Sequence, residues 1–135
     1  VVIMTHPTPW EFHPVHHPSY IDFFDRVLSE TTDAVEMSQK YEKAFAEDEW
    51  YRHLYRTSYA YHGVHPFYMW YWCSHALEHL SQVIIVGGQP EAVRRMGFRP
   101  ASTIQDALEI ASDTVGFSPS ITHYHSPPIL MADVI

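Results

Sequence analysis

Residues 82–88 read QVIIVGG, a run of β-branched apolar residues that stops at two glycines. Continuous apolar runs of this length are typical of strands buried on both faces of a parallel sheet. A second run, VVIM, opens the chain and predicts a strand over residues 1–5. We expect a last strand over residues 119–125. Because helical patterns separate these strands, the sequence predicts a three-layer α/β fold, with a small parallel sheet flanked by helices.

Caps and apolar spacing predict the helices between the strands. Capping pairs are expected at Ser19 with Asp22, Asp33 with Glu36, and Ser102 with Gln105. The pairs at Ser19 and Ser102 each begin a helix, and the pair at Asp33 begins a helix over about 34–47. Further helices are expected over about 49–58, 66–80 and 90–96. In the first helix the predicted core face consists of Ile21, Phe24, Val27 and Leu28.

Residues 55–80, YRTSYAYHGVHPFYMWYWCSHALEHL, combine many aromatic side chains with four of the eleven histidines. Aromatic residues bring large apolar surfaces with polar tips, and histidine adds a group that titrates near neutral pH. We interpret this mixture as the wall of a small-molecule cleft. The part after Pro66 is apolar nearly all round, which predicts a buried helix with Cys73 as a core thiol.

Composition excludes several classes of function. The 135 residues are enough for one domain, and the net charge of −8 argues against nucleic acid or an anionic membrane as partner. The single cysteine excludes an internal disulfide and suggests a reducing compartment, so we expect a cytoplasmic protein. We find no signal peptide and no apolar run that reaches the roughly 18 residues of a membrane span.

The first residues suggest that the chain is part of a longer polypeptide. The chain begins with Val1 inside an apolar run, whereas terminal residues are usually solvated. We therefore expect residues 1–135 to be a single α/β domain at the C-terminal end of a two-domain protein. An upstream tail that was removed is the alternative.

The sequence HALEH at residues 75–79 matches H-x-x-E-H, the inverted pattern of some zinc proteases. Its helical spacing puts His75 and His79 on one face with Glu78 nearby. The motif is short, the chain is rich in histidine, and no distal carboxylate ligand stands out. We therefore favour a helix with polar groups near its C-terminal end, where histidine is favourable.

The histidines of HGVH at 62–65 and of the loop at 6–18 have more than one possible role. His62 and His65 could bind metal or carry protons, although hydrogen bonds to loop backbone are slightly favoured over metal ligation. Arg56 is the natural contact for a substrate anion, with an ordinary salt bridge as the alternative. The loop could meet residues 119–125 at the C-terminal edge of the sheet, where open α/β folds bind ligands.

Several stretches together resemble the C-terminal domain of the lactate racemase-like superfamily, the nickel-pincer-nucleotide-dependent racemases and epimerases. These stretches are VVIMTHP (1–7), HHPSYIDFFDRVL (16–28), YRTSYAYHGVHPFYMWYW (55–72), QVIIVGG (82–88), MGFRPASTIQDALEIASDTVG (96–116) and SITHYHSPPILMADV (120–134). They share with that domain the order of strand, Met-Gly-Phe, helix and final strand.

The resemblance implies a two-domain enzyme that moves a hydride at the hydroxyl-bearing carbon of a 2-hydroxy acid. The cofactor-anchoring lysine, the nickel-ligating histidine and the proton-moving histidine pair would belong to an N-terminal catalytic domain. The family's Gln and Lys for the substrate carboxylate would lie upstream of Val1. This chain would supply the second wall of the cleft.

Our candidates for catalysis are His62 and His65, and no metal ligand is assigned. The candidates for substrate contact are Arg56, His17, Tyr61 and Trp70. The expected partners are the N-terminal domain and a small hydroxy acid, and a homo-oligomer is possible. Two alternatives stay open: a self-contained His-rich metal-binding domain or metal-dependent hydrolase, and a non-catalytic interaction domain.

Overall fold

A three-stranded parallel sheet lies at the centre of the α/β part of the fold. The computed structural model describes residues 1–5, 14 and 16–124. Strands β1 (Val2–Thr5), β2 (Val83–Val86) and β3 (Arg99–Ala101) pair in the order β1-β2-β3. Both pairings are parallel, with Val2 opposite Val83 and Ile84 opposite Arg99. The predicted strands at 1–5 and at 82–86 are confirmed, and β2 occupies the buried centre of the sheet.

Seven α-helices and two π-helical segments make up the rest of the described regular structure. Helix α1 (Pro18–Asp22) runs directly into a π-helix at Phe23–Val27, and α2 (Ala34–Met37) runs through a π-helix at Ser38–Glu42 into α3 (Lys43–Glu47). The others are α4 (Glu49–Thr57), α5 (His65–Leu77), α6 (Pro90–Arg95) and α7 (Ile104–Val115).

Helices cover both faces of the sheet, as the sequence predicts. On one face, Ile84 and Val86 pack with Ala107 and Ala111 of α7. On the other face, Val83 and Ile85 pack with Val93 of α6 and with the end of α5. The alternation along β2 follows from the two-residue period of a strand, which points successive side chains to opposite faces. The result is a three-layer arrangement around a fully apolar strand.

A second core lies among the helices before β2. Its buried members include Phe67, Met37, Phe45, Phe23 and Val27. The ring of Phe67 contacts those of Phe23 and Phe45, with centroids 4.8 and 5.0 Å apart in edge-to-face geometry. Edge-to-face pairs of this kind add attraction beyond the buried area. This aromatic core holds the π-helix at Phe23–Val27, α3 and α5 together.

The predicted core face of the first helix is wrong at Ile21, while Phe24 packs against the core from a partly buried position. The amide of Leu28 donates to the carbonyl of Phe23 at 3.0 Å, which places an extra residue in this turn. The insertion rotates the face, so that Phe23 is buried while Ile21 and Phe24 are only partly covered. A pattern with a strict helical period does not anticipate this rotation.

Two of the three predicted capping pairs are wrong. Pro18 occupies the first helical turn of α1, and Asp22 instead accepts a hydrogen bond from the Tyr51 hydroxyl. The cap of α7 lies one residue later than predicted, with Thr103 and Asp106 bonding reciprocally at 3.0 Å. The prediction for Asp33 and Glu36 holds at the N-cap, since the Asp33 carboxylate accepts a hydrogen bond from the amide of Glu36 at 2.8 Å.

The third strand is not where the sequence predicts it. Residues 119–124 form no strand, and residue 125 lies outside the described ranges. Strand β3 instead forms at Arg99–Ala101, a three-residue segment with Pro100 in its middle. Proline is tolerated there because β3 lies at the end of the strand order, with only β2 as its neighbour. Pairing with β2, not an apolar pattern, creates this strand.

Helix α5 is buried on one face only, contrary to the prediction of a helix buried all round. Phe67 and Trp70 are buried, whereas Tyr68 is half-exposed and Trp72 is 75% exposed. The free thiol of Cys73 is exposed, so the prediction of a core thiol is also wrong. The neighbouring helices cover only the face that carries Phe67 and Trp70. Among the described residues, no helix is long and apolar enough to cross a membrane.

Candidate functional site

Four aromatic and imidazole rings meet where the start of α1 approaches the start of α5. The ring of Tyr61 lies 4.4 Å from that of His65 and 5.1 Å from that of His17, measured between centroids. Tyr20 completes the group, with its ring 5.7 Å from His65 and 5.5 Å from His17. We call these four residues the His–Tyr cluster. Three of them, His17, Tyr61 and His65, are among the candidates predicted from the sequence.

A hydrogen bond between side chains joins two members of the His–Tyr cluster. The hydroxyl of Tyr20 is 2.5 Å from Nδ1 of His65. This bond links two side chains that are 45 positions apart in the sequence. A hydroxyl can donate a hydrogen bond to a neutral imidazole or accept one from a protonated imidazole. Each member of the pair can therefore act as a hydrogen-bond donor or as an acceptor towards a ligand.

Backbone contacts position the cluster. His17 is the residue directly before α1, and His65 is the first residue of α5. The amide of Tyr61 donates to the carbonyl of His16 at 3.0 Å, which ties the turn before α5 to the residue before His17. Proline at the first turn of each helix fixes the chain direction as it leaves these histidines.

Gly63 is required for this turn to pack. A Cβ atom added at Gly63 would lie 2.2 Å from the carbonyl oxygen of Phe45. Such a contact is shorter than any van der Waals separation, so only glycine allows the turn to lie this close to α3. The glycine therefore sets the distance between the aromatic core and His65.

Burial shifts the pKa values of both members of the hydrogen-bonded pair in the direction that favours their uncharged forms. Burial lowers the pKa of His65 below its ordinary value, and the neighbouring His17 lowers it further by charge repulsion. Burial, followed by the proximity of Tyr61, raises the pKa of the Tyr20 hydroxyl. At neutral pH the cluster therefore presents a neutral imidazole and a protonated phenol.

His62 does not join the His–Tyr cluster through a ring contact. Its ring lies edge-on to that of Tyr55, with centroids 5.2 Å apart, and its Nδ1 accepts from the amide of Val64 at 3.4 Å. This is the loop-backbone hydrogen bond that the sequence favoured over metal ligation. A proton-carrying role for His62 stays a prediction.

Arg56 is exposed in the last turn of α4. Within residues 16–124, no acidic side chain forms an ion pair with the Arg56 guanidinium. The ordinary salt bridge, which was the alternative role, is therefore not found in that range. Its role in binding a substrate anion stays a prediction.

Trp70 lies in the aromatic core, not in an open wall. It is 8% exposed, and its indole N–H donates to the carbonyl of Thr32 at 2.9 Å. Its ring stacks on Phe98 with centroids 6.3 Å apart. In this position Trp70 joins the aromatic core to the segment that leads into β3.

The structure adds Tyr20 to the candidates, and sequence reasoning missed it. Its signal is the sequence HHPSY, where Tyr20 follows His17 by only three residues, across the predicted start of the first helix. The predicted meeting of loop 6–18 with residues 119–125 cannot be followed, because residues 6–13, 15 and 125 lie outside the described ranges.

Two other features of the described surface are separate from the His–Tyr cluster. A groove of about 340 Å³ is lined by Ala34, Val35, Ser38, Gln39 and Tyr71, and no histidine faces it. The second feature is the group His75, Glu78 and His79 at the end of α5, whose ligand atoms lie within 4.8 Å of one another. Within the described residues, this is the one group of three side chains that could hold a metal ion.

No protein-family model, no curated protein and no solved structure matches this chain.

Proposed function

We propose that this chain is the C-terminal, substrate-cleft domain of a lactate racemase-like 2-hydroxyacid racemase or epimerase. The observation that carries the proposal is the hydrogen bond between Tyr20 and His65. Both residues belong to stretches on which the resemblance rests, HHPSY and YHGVH. The three-layer α/β fold agrees with a domain of that kind, and the reducing cytoplasm is the location that we propose for it.

In this proposal the His–Tyr cluster recognises the hydroxyl end of the substrate. A neutral imidazole accepts a hydrogen bond from an alcohol, and a protonated phenol donates one. The lowered pKa of His65 and the raised pKa of Tyr20 favour these states at neutral pH. The cluster therefore offers a 2-hydroxy acid one acceptor and one donor, while Arg56 would pair with its carboxylate.

The cofactor implied by the resemblance would be held elsewhere. That cofactor is anchored through a lysine, and the chain has only Lys40 and Lys43. Their ammonium groups lie 2.5 Å from Glu30 and 3.9 Å from Glu47 on the helical surface. These residues do not fit an anchoring role beside the His–Tyr cluster. We therefore assign this chain substrate contacts only, and the hydride chemistry to an N-terminal domain.

Racemisation by the complete polypeptide tests the proposal. The protein that carries this chain, purified from cells supplied with nickel, should interconvert the enantiomers of a small 2-hydroxy acid such as lactate, as followed by chiral chromatography. Arg56→Ala should raise KM with little change in kcat, because the guanidinium would bind the carboxylate in ground state and transition state alike.

Arg52→Ala is the matched control, since Arg52 is also exposed and lies one turn earlier on α4. Equal kinetics of the Arg52 and Arg56 variants would remove Arg56 from the site. The absence of racemisation with any of a panel of 2-hydroxy acids, by a cofactor-loaded protein, would overturn the assignment.

A further inference from the structure

We propose that His75, Glu78 and His79 form a surface site for a divalent transition metal, with zinc as the ion that fits best. This site is separate from the His–Tyr cluster and does not depend on the function proposed above. Each side chain offers one ligand atom, and the three atoms already lie within 4.8 Å of one another.

The spacing of the three residues produces this geometry. Residues three and four positions apart lie on one face of a helix, so the sequence H-x-x-E-H puts its three polar side chains side by side. Helix α5 ends at Leu77, and the turn continues because the amides of His79 and Leu80 donate to Ala76 and Leu77, both at 3.1 Å. His79 therefore keeps its place beside His75 although it lies beyond the helix end.

The two imidazole rings are close enough to bind the same ion. The rings of His75 and His79 are 5.7 Å apart between centroids and nearly perpendicular, so they do not stack on each other. Tetrahedral zinc with bonds of about 2.0–2.1 Å needs its ligand atoms about 3.4 Å apart. All three side chains are exposed, so small rotamer changes can bring their atoms from 4.8 Å to that separation.

The surroundings favour a cation. The last turn of a helix carries a partial negative charge from its free carbonyl groups, which attracts positive charge. The whole chain carries a net charge of −8, which raises the local concentration of cations. Two nitrogens and one carboxylate oxygen form a ligand set that zinc prefers over calcium or magnesium, and water would complete the coordination.

Zinc binding to the complete chain, measured by calorimetry with zinc alone as the ligand, tests the site. His75→Ala/His79→Ala should remove one zinc per chain. Glu78→Gln should weaken that zinc by at least about tenfold, since even residues outside the first coordination shell change metal affinity by about 10–100-fold. Affinity at this site should fall as pH falls, because a protonated imidazole cannot bind a metal.

Glu49→Ala/His53→Ala is the matched control. These two residues are exposed and lie four positions apart on α4, so the pair removes one carboxylate and one imidazole, the two side-chain types of the proposed site, from another helix. The control should keep the zinc that the His75 and His79 variant loses. Zinc binding of unchanged stoichiometry and affinity in His75→Ala/His79→Ala would overturn the proposal, as would failure of the parent chain to bind zinc.

Discussion

The hydroxyl of Tyr20 lies 2.5 Å from Nδ1 of His65, and this bond joins the first helix to the aromatic helix α5. The two residues come from segments that are 45 positions apart in the sequence. Neither residue belongs to the fully buried core, and the bond between them is partly buried. The protonation states of the Tyr20 hydroxyl and the His65 imidazole determine what the His–Tyr cluster can bind.

Removing His17 should raise the pKa of His65. Burial lowers this pKa first and repulsion from His17 lowers it further, and His17→Ala relieves the second effect by taking away the neighbouring charge. Titration of the imidazole signals by NMR gives the value directly. His53→Ala is the control, because His53 stacks on Trp50 on α4. A His65 pKa that is the same in parent and His17→Ala would contradict this account of the cluster.

His65 should make the folded chain less stable in mild acid. Its pKa in the folded state lies below the ordinary value of 6.5, so the unfolded chain takes up the proton first as pH falls. The stability that His65 contributes is complete above about pH 6.5 and is lost as pH falls through the folded pKa. Chemical denaturation at pH 7.5 and pH 5.5 measures the loss.

The change in unfolding free energy between these two pH values should be smaller for His65→Gln than for the parent, because glutamine does not titrate. The variant His53→Gln should behave like the parent. If His65→Gln loses as much stability on acidification as the parent does, the burial of His65 has no such effect.

The one-sided burial of α5 predicts opposite outcomes for two aromatic residues of the same helix. Phe67 has no exposed surface, and Phe67→Ala should cost about 3–5 kcal/mol of unfolding free energy through the cavity that it leaves. Trp72 is 75% exposed, and Trp72→Ala should change stability by less than about 0.5 kcal/mol. Urea denaturation followed by circular dichroism compares them. A large cost for Trp72→Ala would mean that this face is covered.

The cap of α7 can be tested at neighbouring positions. Thr103 accepts from the amide of Asp106, so Thr103→Ala should cost about 1 kcal/mol. Ser102 makes no such bond in the described cap, and Ser102→Ala should cost less than about 0.5 kcal/mol. The same denaturation experiment separates them, and the reverse order of the two costs would support the cap that the sequence predicted.

The elements with strong local signals could be predicted from the sequence. Strand β2 has an uninterrupted apolar run, and α4 begins at an aspartate whose carboxylate accepts from two backbone amides. Strand β3 could not be predicted, because its segment Arg99–Ala101 has no strand pattern and forms only by pairing with β2. The π-helical turn at Phe23–Val27 likewise depends on tertiary packing, and the spacing of apolar residues in the sequence does not reveal it.

The sequence predicts the residue types of the candidate site but not which of those residues lie together in space. Residue type alone points to His17, Tyr61 and His65, and the structure brings them together with Tyr20. Residue type points to Trp70 equally, yet its indole N–H donates to the carbonyl of Thr32 in the core. Aromatic residues serve cores and clefts equally well, so residue type alone does not separate these two uses.

The pairing of Val2 with Val83 has a consequence for synthesis of the chain. Strand β1 is made first, but its partner β2 appears only after more than half of the chain has followed. At a translation rate of about 5–20 residues per second, the apolar β1 segment waits about 4–16 s without its partner. The unit from β2 to β3 closes over a far shorter loop and can form at once. Nascent chains are therefore open to chaperone capture at β1 during this interval.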